Sequence, residues 1–235
     1  MIRINPIIAI IPSRGGSKRI PMKSLEDING QSMLSRTINL AKSAGIFEKI
    51  VVSTDSQLIA KEAILAGAEV PNLRSKFFDD ISPVSLATIH TFKSIMDEKD
   101  SFSSATVVQL MPNCPFLSVD TLLDCVKTQQ EIGSRSLISC INVDAINWFA
   151  FTLDNNQPNW IAKDVNLISR TQDKAPIYVP SGSVWIAKGD YLLAHKSFYG
   201  PNYQFHEIPF LEGYDIDTKD QLEFARIIEK GIEKN

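Results

Sequence analysis

Arg14, Lys18, Arg19 and Lys23 cluster around the adjacent glycines Gly15 and Gly16. Cations flanking paired glycines suit an anion. With no Cβ in the way, backbone N–H groups can approach phosphate oxygens while the side chains supply counter-charge. A solvated basic loop with two turn glycines is the other reading of the same residues. The stretch has neither the spacing of a P-loop nor the G-x-G-x-x-G of a dinucleotide fold, so any nucleotide bound here is held in another way.

A second set lies near the other end of the chain, at Asp215-Ile216-Asp217. Residues two apart in an extended segment share a face, where like charges are unfavourable unless a cation sits between them. Mg²⁺ binds few carboxylates and keeps phosphate and water ligands, so it is the natural cation. Two solvated acids ahead of a helix N-terminus, where the macrodipole favours them, remain the alternative.

The elements around these residues place them. The apolar run Ile7–Ile11 feeds directly into the glycine loop and reads as a strand buried on both faces of a parallel sheet. Met33, Leu34, Thr37, Ile38, Ala41 and Ala44 recur at helical spacing up to Gly45. Ile50–Ser53 is a second strand, with Asp55 or Ser56 capping a helix that Gly67 stops. This βαβ order sets Thr54-Asp55-Ser56 on the same rim as the glycine loop, at the strand ends where open α/β sheets bind ligands.

Residues 71–86 predict a long surface loop carrying Arg74, followed by a helix from about Ala87 to Lys99. Ala105–Leu110 predicts a central strand ended by prolines, Ser118 a helix cap, and Ser136–Asn142 a further strand. From Asp144 to about Pro180 aromatic residues, among them Trp148, Phe149, Phe151 and Trp160, alternate with Asn, Gln and Pro. This stretch is expected to leave the sheet, either as an irregular loop with its own small cluster or as an arm packed on a second subunit. Ser183–Ala187 returns to a strand, a short helix lies near Tyr191 and a strand near His206. The last helix opens on the capping box Thr218-Lys219-Asp220-Gln221. The expected fold is α/β, a doubly wound, mostly parallel sheet with a small inserted excursion at 144–180, in one domain spanning 1–235.

With 235 residues, 44% of them hydrophobic, the chain is long enough for one sizeable core. A net charge of −3 leaves the basic loop a local feature and gives no footprint for nucleic acid. No leader pattern or membrane-length apolar run is visible, so neither membrane nor export is expected and the cytoplasm is the expected compartment. Cys114, Cys125 and Cys140 lack metal or disulfide spacing and are expected as buried thiols, and the scattered His90, His195 and His206 receive no role.

Ile11 to Lys23 (IPSRGGSKRIPMK), Val51 to Ser56 (VVSTDS), Leu110 to Leu117 (LMPNCPFL) and Tyr214 to Thr218 (YDIDT) together resemble, in order and spacing, the acylneuraminate cytidylyltransferases, or CMP-sialic acid synthetases. The likeness runs from about Ile7 to the last helix, and the glycine loop and CPFL look nearest the branch that activates pseudaminic-type nonulosonic acids. The resemblance implies a fold similar to the nucleotide-diphospho-sugar transferases, a homodimer formed through the inserted arm, CTP as co-substrate, Mg²⁺, and a nine-carbon sugar acid as acceptor. Carried over by motif, it implies Arg14, Gly15, Gly16, Ser17, Lys18 and Lys23 on the triphosphate and Arg74 by the cytosine. It further implies Asp215 and Asp217 on the metal, Arg170 near the sugar carboxylate, and Tyr178 to Gly182, with Ser181, lining the sugar pocket. Arg14, Lys18 and Asp217 are the expected catalytic residues.

The chain departs from that pattern at Ser24, where family members commonly have Asn, at Ser181, and at Met111, where sialic acid members carry a sugar-contacting Gln. Met111 cannot hydrogen-bond with comparable strength, so the acceptor differs at that group or the site is impaired. Transfer to an octulosonic acid or a sugar phosphate, and a nucleotide-binding paralogue without turnover, are the competing readings.

Overall fold

In a computed structural model, residues 5–77, 79, 81–96, 102, 104, 105–144, 149–162 and 170–232 are described. The expected helix end at Lys99 and the aromatic Trp148 lie outside them. The elements run β1 (Ile7–Pro12), β2 (Asp27–Ile28), β3 (Gln31–Ser32), α1 (Met33–Ala44), β4 (Lys49–Ser53), α2 (Gln57–Ala66), α3 (Val84–Met96), β5 (Thr106–Leu110) and α4 (Val119–Glu131). They continue with β6 (Ser136–Asn142), β7 (Phe151–Asp154), β8 (Gln157–Trp160), β9 (Tyr178–Lys188), α5 (Gly189–His195), β10 (Gln204–Glu207) and α6 (Lys219–Ile232).

A sheet in the order β10-β6-β9-β5-β1-β4 forms the centre. β4, β1 and β5 pair in parallel, as do β6 and β10, while β9 runs antiparallel to both of its neighbours. β1 shows why an unpatterned apolar run is a central strand. Ala9 and Ile11 pack with Leu34, Ile38, Ile59 and Leu122 from α1, α2 and α4, whereas Ile8 and Ile10 pack with Ile89, Phe92 and Leu192 from α3 and α5. Both faces are therefore covered, and no residue of the run has a polar side to show.

Local chemistry sets the boundaries. Ser32, Ser56 and Ser118 each accept a backbone N–H at a helix start, and Gly45 and Gly67 take left-handed conformations where α1 and α2 end. α3 begins at Val84 rather than Ala87, because Pro83 carries the first turn, its carbonyl accepting from Leu86 N–H. The stretch 144–180 does not remain irregular. β7 and β8 form a separate two-stranded hairpin around Asn155 and Asn156, with φ of 47° and 63°, the positive pair that a type I′ turn demands. Tyr178, Val179 and Pro180 belong instead to β9 of the main sheet. No helix among the described residues is long and apolar enough to cross a membrane. The three cysteines are buried and free.

Candidate active site

A cleft of about 580 Å³ opens at the C-terminal ends of β1, β4 and β5. Arg14, Ser17, Lys18, Arg19 and Lys23 bring the loop after β1 into it, Arg74 and Phe77 come from beyond β4, Met111 and Asn113 follow β5, and Asp215 and Asp217 precede α6.

The loop is anchored from two sides. Gly15 N–H donates to Asp55 Oδ1 at 2.9 Å, and a Cβ at Gly15 would lie 3.2 Å from Ser56 Cβ. Gly15 thus sits close against the α2 start, where a Cβ would be tight, and its N–H is taken by Asp55, a correction to the expectation that both glycines offer theirs to phosphate. At Gly16 an added Cβ would meet nothing within 4 Å. Ile20 packs with Ile28, Met33, Ile216, Leu222 and Ala225, so one small apolar cluster holds the loop against the acidic segment. That cluster explains how Arg19 and Lys23 reach Asp217.

Lys23 Nζ donates to Asp217 Oδ1 and to the Ile216 carbonyl, both at 2.8 Å, and Arg19 Nη2 meets Asp217 Oδ2 at 2.5 Å. Burial pushes the Asp217 carboxyl up, but Lys23 and Arg19 outweigh it and hold the group below its ordinary range. Asp215 differs. Burial first, and Asp217 second, push it up to about 6, and its side-chain partner is the Asn113 amide, with Nδ2 donating to Oδ1. The capping box forms as expected, since Gln221 Oε1 accepts from Asp217 and Thr218 N–H at 2.8 Å each.

Arg74 is buried to 6% exposure, and burial lowers its pKa, with Asp55 opposing that shift. Its Nη1 donates to Ser53 Oγ at 3.0 Å and to the Ser53 carbonyl at 3.1 Å; Thr91 Oγ1 on α3 donates to the same Ser53 Oγ at 2.6 Å. Arg14 donates to the Asp79 carbonyl, and Phe77, Asp79 and Ser82 line that side of the cleft. Ser24 accepts from Ser13 Oγ at 2.6 Å, fixing the loop to the end of β1.

The proposed sugar residues divide. Met111 lines the cleft, and Gly182 lies behind it, since an added Cβ there would contact Met111 Cγ at 3.6 Å. Ser181 does not reach the cleft; its hydroxyl is buried against Ser139 Oγ at 2.7 Å, next to the register shift between β6 and β9. Tyr178 is exposed in a separate depression with Cys140, Phe205 and Glu207, and Arg170 is exposed outside the cleft walls. Asn113, Phe77 and Ser82 are cleft residues that sequence reasoning missed. For Asn113 the signal was a polar residue between Pro112 and Pro115 at a strand end.

A sequence profile of the cytidylyltransferases matches residues 8–232. The chain belongs to the cytidylyltransferase family. It is 32% identical over 217 residues to the CMP-N,N'-diacetyllegionaminic acid synthase of Legionella pneumophila, covering 90% of this chain and 91% of that one. It is 29% identical over 223 residues to the pseudaminic acid cytidylyltransferase of Campylobacter jejuni, covering 95% and 96%. In fold it is similar to a CMP:2-keto-3-deoxy-manno-octonic acid synthetase solved with CTP, at a TM-score of 0.74 and 15% identity over 97% of this chain and 99% of that one. For a cytidylyltransferase the arrangement is coherent: cations and an open loop on one wall, a carboxylate pair on the other.

Two carboxylates with hard oxygen donors, of which half-buried Asp215 has no salt-bridge partner among the described residues, have the chemistry to hold a divalent cation. Among the described residues no group of three or more His, Cys, Asp or Glu forms an all-protein cage.

Proposed function

We propose that the protein joins CMP from CTP to the anomeric hydroxyl of a nonulosonic acid and releases pyrophosphate. The observation that carries this reading is the single cleft in which Arg14 and Lys18 stand with Asp215 and Asp217. The anomeric oxygen forms a bond to the α-phosphorus while the bond to the bridging oxygen of the β-phosphate breaks; the hydroxyl proton passes to solvent and the electron pair leaves with pyrophosphate. Charge grows on that bridging oxygen. Arg14, Lys18 and the loop backbone stabilise it as preorganised donors. Lys23 orients Asp217, and Arg74 presents its guanidinium to the nucleoside.

Asp215 and Asp217 would hold Mg²⁺, which would supply charge neutralisation of the phosphates. The β7–β8 hairpin exposes Leu153 at 67%, and Ile161 just after it is exposed at 69%, with Phe151 edge-on to Trp160; a second subunit covers this surface in a homodimer. A monomer by light scattering at micromolar concentration would contradict the dimer. Mass spectrometry of the product formed from CTP, Mg²⁺ and pseudaminic or legionaminic acid tests the reaction, with the CMP-sugar mass expected and unaltered CTP contradicting it.

A further inference from the structure

β4 runs out into Thr54-Asp55-Ser56, on the rim where the loop after β1 stands. Asp55 is a half-buried acid beside the basic wall of the cleft, and it does not line the cleft itself. A carboxylate close to phosphate oxygens weakens their binding, so its place there needs another reason.

The reason lies in the loop backbone. Gly15 N–H points back to Asp55 Oδ1 at 2.9 Å, and an added Cβ at Gly15 would lie 3.2 Å from Ser56 Cβ and 3.4 Å from Met22 Sδ. Arg14 comes immediately before this point, Gly16, Ser17 and Lys18 immediately after it, and Arg14, Ser17 and Lys18 line the cleft. Glycine is the residue least able to hold one conformation by itself, so an external acceptor has most effect at that place. The direction in which the flanking side chains leave the loop is set where Gly15 is tied.

The same carboxylate acts on Arg74. Arg74 N–H donates to the Thr54 carbonyl at 2.6 Å, and its guanidinium donates to Ser53. Burial lowers the Arg74 pKa, Asp55 raises it and Arg14 lowers it, so Asp55 is the counter-charge to a buried cation that has another cation nearby. That is a use for the charge, separate from the hydrogen bond.

Resting on the function proposed above, we infer that Asp55 is a positioning residue of the transfer reaction: by accepting the Gly15 N–H it holds Arg14, Ser17 and Lys18 in the course that meets the triphosphate. Asp55 itself touches neither substrate. An amide oxygen at the same place accepts the same hydrogen bond, whereas a methyl group cannot. Asp55→Asn and Asp55→Ala therefore separate the tether from the charge.

The test uses the full chain and two readouts. Hydrogen–deuterium exchange of the 13–20 peptide without nucleotide reads the loop, and pyrophosphate release with CTP, Mg²⁺ and pseudaminic or legionaminic acid reads the reaction. Asp55→Ala is expected to exchange about 10-fold faster in that peptide and to lower kcat, per folded molecule, by about 10- to 100-fold, with the sugar KM within about twofold of wild type. Asp55→Asn is expected to keep both the exchange rate and kcat within about threefold of wild type. Wild-type kcat in Asp55→Ala would overturn the inference and leave the function standing. An Asp55→Asn variant as impaired as Asp55→Ala would also overturn it, because the charge and not the tether would then be what the reaction needs. Where Asp55→Ala does not fold, Asp55→Asn decides: wild-type values support the inference, and fast exchange or a loss of kcat of about 10-fold would overturn it. Wild type releasing pyrophosphate with neither acid would overturn the proposed function and this inference with it.

Discussion

Lys23 and Asp217 meet at 2.8 Å across 194 residues of sequence, tying the loop after β1 to the segment that opens α6. Neither is fully solvated, with side-chain exposures of 19% and 35%. The contact fixes the Asp217 carboxylate, the group proposed above to hold the metal. Lys23→Ala leaves Asp217 with Arg19, which is 61% exposed and screened by water. The expected cost is about 1–2 kcal/mol in urea unfolding, less than for a fully buried pair, together with a raised Mg²⁺ requirement. Unchanged stability and unchanged Mg²⁺ dependence would contradict this role.

Asp215 behaves in the opposite sense. Burial, with Asp217 second, pushes its carboxyl from an ordinary 3.8 up to about 6 in the fold. Between those values the folded state holds more protons than the unfolded one, so stability falls as pH rises through the window and the ionised form is disfavoured above it. Asp215→Asn removes that cost. The variant is expected to melt higher than wild type at about pH 8, by an amount on the order of 2–3 kcal/mol, and to match it at about pH 4. Asp217, held below its ordinary range, has the opposite sign and loses its contribution only at lower pH. Added Mg²⁺ is expected to raise the melting temperature of wild type and not that of Asp215→Asn. A variant destabilised at the higher pH would contradict the burial argument.

The same ionisation predicts a rate profile. If Asp215 must be a carboxylate to hold the metal, kcat/KM falls on the acid side with an apparent pKa near about 6 in the free enzyme. Saturating Mg²⁺ shifts that limb to lower pH, because a cation favours the ionised form. A profile flat down to about pH 5 would contradict it.

Much of this was readable from residue order, and the exceptions have physical reasons. The fully apolar β1 and its glycine loop declared themselves, as did the serine caps and the Thr218 capping box, because each is a local rule. The direction of β9 was not readable: Val184, Ile186 and Ala187 spell an apolar strand whichever way it runs, and antiparallel pairing to β5 and β6 is a tertiary choice. The division within Asp215-Ile216-Asp217 was not readable either: Lys23 and Arg19 neutralise Asp217 while Asp215 turns to Asn113, which is a tertiary choice. Asn113 escaped notice because one asparagine at a strand end carries no periodicity. Ser181 was misplaced because a strand alternates faces, and its hydroxyl turns inward to Ser139.

Arg74 is held through a relay from α3. Thr91→Val removes the hydroxyl that orders Ser53, which in turn receives the guanidinium. The CTP KM is expected to rise about 3- to 10-fold with the sugar KM unchanged. Equal changes in both would contradict a role confined to the nucleoside.

Arg14 lines the cleft and also donates to the Asp79 carbonyl. Arg14→Ala is expected to lower kcat by about 100- to 1000-fold with an unchanged circular dichroism spectrum. Full turnover would contradict its assignment to the phosphates.

The most direct measurement is pyrophosphate release by wild type when each of CTP, UTP, ATP and GTP is offered with Mg²⁺ and each nonulosonic acid in turn. Release is expected with CTP and a nonulosonic acid, and none when either is withheld. Binding of CTP without release against every acid, or release only with another nucleotide, would contradict it.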